Sequence, residues 1–289
     1  MPLSVLSLVI LSALLHATWN LYAKRSSGGF VFVWLTNLVA VAWLVPLAFF
    51  LLYGERSAIL AHLPALLLAA ALTSTFHLSY TLMLLRAYRS GDLSLVYPIV
   101  RGTGPLLSAI VGVLAFREPA NALTVAGTIM IVAASFAIGI DRRAREHGHV
   151  LGALAFGAAA GAMLSCYTLW DKFAVSNLGF APLAYFAANI AIQTLVSTPL
   201  ALRERGRPLA EWRANRTQVL VVGVLSPLAY LLILFALVGA PVSLVAPMRE
   251  LSIVIAVVLG RIVLAEPVGR RRAIAGVVIA LGVIALSRG

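Results

Sequence analysis

Apolar runs of about 20 residues recur along the whole chain, separated by short gaps that hold charged residues, proline or glycine. A run of that length crosses a hydrocarbon core of roughly 30 Å as a helix rising about 1.5 Å per residue. The runs lack period-two alternation and are about twice as long as a barrel strand needs, so they predict helices and exclude a closed sheet. Cutting at the gaps predicts ten helices, at about 2–23, 30–53, 63–86, 93–116, 120–140, 150–172, 180–202, 217–238, 242–264 and 268–287. Two gaps are longer and more polar, Asp141 to His149 and Arg203 to Arg216, and the first lies at the midpoint. Gly91-Asp92 reads as a turn. Residues 3 to 15 read as part of the first helix rather than as a leader, because no basic stretch precedes them and no small-residue cleavage site follows before Trp19-Asn20.

One stretch occurs twice. Ser94-Leu95-Val96-Tyr97-Pro98 is followed by Arg101 and an apolar run to Glu118-Pro119; Ser243-Leu244-Val245-Ala246-Pro247 is followed by Arg249, Glu250 and an apolar run to Glu266-Pro267. Trp19-Asn20 is echoed 151 residues on by Trp170-Asp171, and Tyr80 is echoed 150 residues on by Tyr230. The shared offset predicts a duplication, with halves at 1–145 and 146–289. Five helices per half is an odd number, so the second half enters the membrane from the opposite side. The expected fold is an all-α integral membrane protein, ten transmembrane helices arranged as two inverted five-helix repeats around a central cavity.

Composition agrees: 62% of the 289 residues are hydrophobic and 11% charged, with a mean hydropathy of +1.00, which leaves too little polar surface for a soluble domain. The net charge of +12 would point to nucleic acid in a soluble chain, but here the basic residues sit in the gaps and report topology. Gaps after odd-numbered helices hold 16 Lys and Arg, the other side 4, which places the odd gaps in the cytoplasm and both termini outside. Cys166 is the sole cysteine, so disulfides and thiolate metal clusters are excluded. The chain has no P-loop, no His-Glu-x-x-His and no Gly-x-Ser-x-Gly. An enzyme and a cofactor are not expected, and active transport would draw on a proton or other ion gradient, or on exchange.

The remaining basic residues, Arg101 and Arg249, lie within predicted helices, and so does Glu250. A charge at a helix centre costs about 2.5–3.5 kcal/mol on insertion scales, so these three must face a wet cavity, one another or a ligand. A buried Arg–Glu lock and a substrate site both satisfy that demand, and the two can coexist. Pro98 and Pro105 in the fourth helix and Pro247 in the ninth remove backbone donors at the same depth, and Gly102 and Gly104 allow close backbone approach, so Pro98, Gly102, Pro105 and Pro247 are hinge or kink candidates. Tyr97, Arg101 and Ser108 share a face of the fourth helix; Thr73, His77, Tyr80 and Thr81 form a polar stripe on the third. Tyr230, Tyr167, Tyr185 and Asn189 are candidates for the rest of a cavity wall, and His16 either lines it or packs. Trp19, Asn20, Trp170 and Asp171 lie near helix ends, where tryptophan belongs to the interfacial belt by default. Glu118-Pro119 and Glu266-Pro267 read as helix starts, with proline in the first turn and a carboxylate at the positive end of the dipole.

The paired Ser-Leu-Val-x-Pro and Glu-Pro landmarks on this ten-helix plan resemble the drug/metabolite transporter superfamily, in its ten-helix EamA-type group. The resemblance implies a multi-pass carrier in the cell (inner) membrane, commonly an exporter of amino acids or other small metabolites, with the site between the halves. Aromatic and other neutral amino acids are the substrates it suggests first. The chain departs from the pattern in two ways. The small four-helix relatives place a carboxylate in the first helix, whereas the first acid here is Glu55, in a gap. Relatives are often drawn with cytoplasmic termini, whereas the charge count places them outside. The expected substrate-binding set is Arg101, Tyr97, His77, Tyr80, Arg249, Glu250, Tyr230 and Ser108; the expected partners are a small-molecule substrate and the lipid bilayer, with no nucleic acid. Two other functions remain open at this level, a carrier of anionic or sugar-linked metabolites and a non-transporting membrane scaffold.

Overall fold

The apolar runs fold as α-helices, and among the residues that the computed structural model describes, 1–26, 29–90, 93–139, 150–203, 206–264 and 269–288, there is no strand. In chain order the helices are α1 (Leu3–Ala23), α2 (Phe30–Leu51), the short α3 (Arg56–Ala61), α4 (Leu63–Ser90), α5 (Leu93–Ala115), α6 (Ala122–Gly139), α7 (Val150–Lys172), α8 (Pro182–Ala201), α9 (Arg207–Gly239), α10 (Val242–Met248), α11 (Leu251–Leu264) and α12 (Arg270–Arg288). A π turn at Phe173–Asn177 extends α7. Among the described residues, eight helical spans are long and apolar enough to cross a membrane, α10 and α11 counting together as one. Ala122–Ile138 in α6 is apolar but shorter, and α12 opens on Arg270, Arg271 and Arg272.

Several elements depart from the expected pattern for local reasons. The gap expected from Arg203 to Arg216 is helical from Arg207, because Pro208 suits a first helical turn and Ala, Glu and Arg extend it. The resulting α9 has 33 residues, about 50 Å, longer than a bilayer core. Its backbone leaves helical geometry at Asn215 (φ −128°, ψ 25°), which sets the polar first turns off from the apolar remainder. The expected ninth helix is broken: α10 ends at Met248, one residue after Pro247, and Arg249 and Glu250 sit in the break before α11. Proline at 247 leaves the Ser243 carbonyl without its helical donor, which weakens the turn that would have carried the helix onward. By contrast α5 runs as one helix through both Pro98 and Pro105. Pro119 does not start a helix, since α6 begins at Ala122; the chain turns instead at Arg117, in the left-handed region (φ 54°). The Gly91-Asp92 turn, the Asp141 to His149 gap with the boundary between the proposed halves, and the Glu266-Pro267 landmark lie outside the described residues.

The most extensive packing pairs are α5 with α7, α1 with α9, α4 with α7 and α6 with α12; α2 lies between α8 and α9, and α4 also packs on α8. Small residues let two of these crossings close to backbone contact. A Cβ on Gly127 would stand 2.8 Å from the Gly282 carbonyl oxygen, and one on Gly282 would stand 2.9 Å from that of Gly127, so α6 and α12 meet glycine to glycine. A Cβ on Gly161 of α7 would meet Thr103 Cβ at 2.7 Å and the Val100 carbonyl at 3.2 Å, which brings α7 against the turn of α5 that carries Arg101. Large apolar side chains such as Phe50, Leu68, Leu195 and Ile262 are exposed on the periphery, as a lipid-facing surface requires.

Candidate functional site

A cavity of about 420 Å³ lies inside the bundle. It follows α1 from Ala23 through Asn20, Trp19 and His16 to Ser12, and α4 from Tyr88 through Thr81 and Tyr80 to His77. Thr73, one turn further along α4, does not line it, and neither does Asp171, one turn beyond Tyr167 on α7. The cavity therefore has one closed end, at the level between His77 and Thr73. At the other end it reaches Ser26 and Gly29 in the α1–α2 connection, beside the exposed Lys24, Arg25, Arg86 and Arg89.

Its inner wall is aromatic. The His77 ring stacks on Tyr167 (centroids 3.9 Å apart, planes 20° apart) and meets Tyr230 edge-on at 5.7 Å; Tyr80 and Tyr230 each stand 5.9 Å from Tyr167, and Phe186 stands 5.4 Å from Tyr230. Helical spacing produces this cluster, since the stripe His77, Tyr80 and Thr81 turns inward from α4 while Tyr167 and Tyr230 arrive from α7 and α9. Two buried polar atoms on lining residues, Trp19 Nε1 and Asn189 Nδ2, have no hydrogen-bond partner. Buried polar atoms are ordinarily paired, so the cavity offers bonds to a polar guest.

Two of the three charges expected at this depth meet. Arg101 Nε lies 3.0 Å from Glu250 Oε2, both residues buried, and Arg101 Nη2 donates to Ser252 Oγ at 3.0 Å. The pair joins α5 to the α10–α11 break, where the interrupted helix brings Glu250 inward. Arg249, its neighbour in that break, lies over the Tyr230 ring at 5.3 Å, and no carboxylate among the described residues is in ion-pair reach of it. Both arginines line the cavity, Arg101 also facing the Tyr97 ring at 5.9 Å. The cavity thus holds one internally neutralised arginine and one whose charge is met by an aromatic face.

Behind the aromatic wall sits a carboxylate that helical position had assigned to a helix end. Asp171 is fully buried. Its Oδ1 accepts from Thr73 Oγ1 and from the Tyr185 hydroxyl, each at 2.6 Å, and its Oδ2 accepts from the Tyr230 hydroxyl. The donors come from α4, α8 and α9, so the group ties four helices together at the closed end. Two further sets of bonds flank it. Lys172 Nζ and Ser176 Oγ donate to the Leu237 carbonyl at 2.7 and 2.8 Å, and Lys172 also to that of Ala240 at 3.0 Å, satisfying the end of α9. Glu118 accepts from the backbone N–H groups of Val242 and Ser243 at 2.7 and 2.8 Å, capping α10. Glu118 is thus a capping carboxylate as expected, but for a helix 124 residues away rather than for the one that follows it.

Of the expected site residues, Arg101, Tyr97, His77, Tyr80, Arg249 and Tyr230 line the cavity and Glu250 joins them through Arg101. Ser108 is elsewhere: it is buried against α7 and donates to Ser165 Oγ at 3.1 Å. Seven residues beyond Arg101, it shares that face of α5 but lies about 10 Å further along the axis. Pro98 and Pro105 are buried in α5, and Gly102 lies under the Phe136 ring, 2.5 Å from where its Cβ would stand. His16 and Trp19 line the cavity, their rings edge to face at 4.8 Å, and Tyr167 and Asn189 do also; Tyr185 stands behind, on Asp171. Trp170 is not a belt residue only, since its Nε1 donates to the Ala69 carbonyl at 2.9 Å.

Residues 151–288 match the model of the EamA-like transporter family. The whole chain superposes on a solved crystal structure described simply as that of a protein, with a TM-score of 0.81 at 15% identity, over 100% of this chain and 98% of that one. At that identity the likeness is one of fold. No curated protein matches. The apolar helices and the match together mark a multi-pass membrane protein similar to transporters of small molecules, in keeping with the drug/metabolite transporter superfamily.

Proposed function

We propose that this chain is a secondary transporter that exports small metabolites, foremost aromatic and other neutral amino acids, by alternating access from a site between two inverted halves. The observation that carries the reading is Arg249, a cation without a carboxylate partner, set on the Tyr230 face at the closed end of an aromatic-walled cavity. A zwitterion with an apolar side chain answers all three features. Its carboxylate meets Arg249, its ammonium meets tyrosine faces, and its side chain displaces water from the ring cluster. The cavity volume falls in the range of about 300–1,000 Å³ usual for small-molecule sites.

The ten-span, duplicated arrangement is part of this proposal, with halves at 1–145 and 146–289, and the packing pairs support it. Exchanging α1, α2, α4, α5 and α6 for α7, α8, α9, α10–α11 and α12 turns the α1–α9 contact into α7–α4, α2–α9 into α8–α4, α5–α7 into α11–α1, and α5–α6 into α11–α12. The α2–α8, α6–α12 and α5–α10 contacts map onto themselves. The most extensive pairs thus map onto one another, as a two-fold axis between halves requires, whereas the smaller α6–α10 and α8–α9 contacts have no counterpart of similar extent. The charge bias assigns the cavity's open end to the cytoplasm, the side from which an exporter in the cell (inner) membrane loads.

Proteoliposomes loaded with labelled phenylalanine test the reading. Efflux is expected from wild-type protein and is lost in Arg101→Ala and Glu250→Gln while both variants remain folded; normal transport by both removes the site. The surplus charge of Arg249 also favours a second reading, a carrier of anionic or sugar-linked metabolites. A thermal-shift panel separates them, since stabilisation only by phosphorylated or dicarboxylic compounds excludes amino acids.

A further inference from the structure

Asp171 is not needed to hold the proposed substrate, because the cavity ends before it. It is nonetheless a carboxylate with no exposure whose partners are all neutral hydroxyls. Burial of an unpaired charge is unfavourable unless hydrogen bonds replace the lost water, and three donors from three other helices do so here. Lys172, adjacent in sequence, is turned to the Leu237 and Ala240 carbonyls and does not neutralise it. The groups facing Asp171 from each packed element are Thr73 and, one turn on, His77 of α4; Tyr185 of α8; Tyr230 of α9, with Arg249 over its ring; and Tyr167 one turn back on α7.

Tyr230 belongs to two sites at once. Its ring is cavity wall beneath Arg249, and its hydroxyl is the donor to Asp171 Oδ2. One side chain thus separates the substrate space from the carboxylate, so a ligand drawing Arg249 off that ring disturbs the donor. The Asp171 layer is also what closes the cavity, because it joins α4 of the first half to α7, α8 and α9 of the second.

Resting on the transporter reading above, we propose that Asp171 is the proton-binding site that couples export to a proton gradient, with the Tyr230 hydroxyl as the link to the substrate. The step is a transfer of one proton between water and Asp171 Oδ2; only an O–H bond forms or breaks. An ionised carboxylate only accepts, which holds all three hydroxyls inward, whereas the acid donates one bond itself and releases part of that hold. Protonation from the outside therefore loosens the four-helix tie that closes the cavity, and release to the cytoplasm restores it.

Two measurements decide this. In proteoliposomes carrying an internal pH dye, an imposed proton gradient is expected to drive phenylalanine accumulation with matching proton movement. Asp171→Asn is expected to lose at least about nine-tenths of that accumulation while retaining phenylalanine–phenylalanine exchange, and Asp171→Glu to recover it. Accumulation by Asp171→Asn equal to wild type overturns the proposal, as does accumulation driven by sodium and not by protons; exchange that never responds to either gradient overturns the coupling and leaves the transporter reading intact. The second measurement needs no substrate. Infrared difference spectra across a pH titration are expected to show, beside the bands that the other carboxyl groups give in every variant, one further carboxylic-acid band that is present in wild type and Glu250→Gln and missing in Asp171→Asn. A further band that persists in folded Asp171→Asn, or never appears in wild type, overturns the proposal even if phenylalanine proves not to be carried.

Discussion

Arg101 and Glu250 lie 149 positions apart in the chain and meet at 3.0 Å in a buried pair. Removing one member of such a pair strands the other charge and costs about 3–5 kcal/mol, whereas removing both is far cheaper. Glu250→Gln is therefore expected to lower the melting temperature in detergent, and Arg101→Gln combined with Glu250→Gln to restore most of it while remaining inactive. A double variant that transports normally would make the pair a structural lock and nothing more. These two residues were legible in the sequence because a charge within an apolar run is conspicuous. Asp171 was not: it is the last residue but one of the run that carries it, and what surrounds it is three hydroxyls 98, 14 and 59 positions away. Thr73 on its polar stripe, Tyr230 as the echo of Tyr80, and Tyr185 as a cavity-wall candidate were each named, but no spacing rule on one helix joins them to an acid on another.

At the scale of elements, helix type and order followed from hydrophobic runs, while breaks and extensions did not. The start of α9 was hidden because its first turns are polar, and polarity was the criterion for a gap; helix propensity in Arg207 to Arg216 was the better guide. The break after Met248 was foreshadowed by Pro247, yet two prolines leave α5 continuous, because packing of α5 on α6 and α7 holds that helix where sequence alone would bend it. Two substitutions test these contacts. Gly161→Leu forces side-chain atoms into Thr103 and the Val100 carbonyl and is expected to destabilise by about 1–3 kcal/mol, read as a lower melting temperature. Glu118→Ala removes the cap from α10 and is expected to cost about 0.5–2 kcal/mol. Its effect on transport should exceed that of other surface acids such as Glu55, because α10 carries the break that positions Arg249 and Glu250.

For the molecule as a whole, a repeated offset in the sequence predicts a duplication, and the most extensive packing pairs are compatible with the corresponding exchange of helices. Which end of the cavity is open was beyond sequence, since the repeated landmarks do not distinguish its two ends; closure at one end comes from bonds between helices that are distant in the chain. Cysteine accessibility tests it. In a Cys166→Ser background, Ser26→Cys is expected to react with an impermeant thiol reagent from the cytoplasmic face, and Thr73→Cys from neither face until substrate and a proton gradient are supplied. Labelling of position 73 from outside in the resting protein would reverse the assignment of the closed end.

The proposed function requires an amino acid to bind between Arg249 and the tyrosine wall. A structure determined in lipid with phenylalanine present tests it most directly. Density for the ligand is expected in this cavity, its carboxylate on the Arg249 guanidinium and its ring against Tyr97, Tyr167 or Tyr230, and none in an Arg249→Ala variant. Density elsewhere, or unchanged density in that variant, contradicts it.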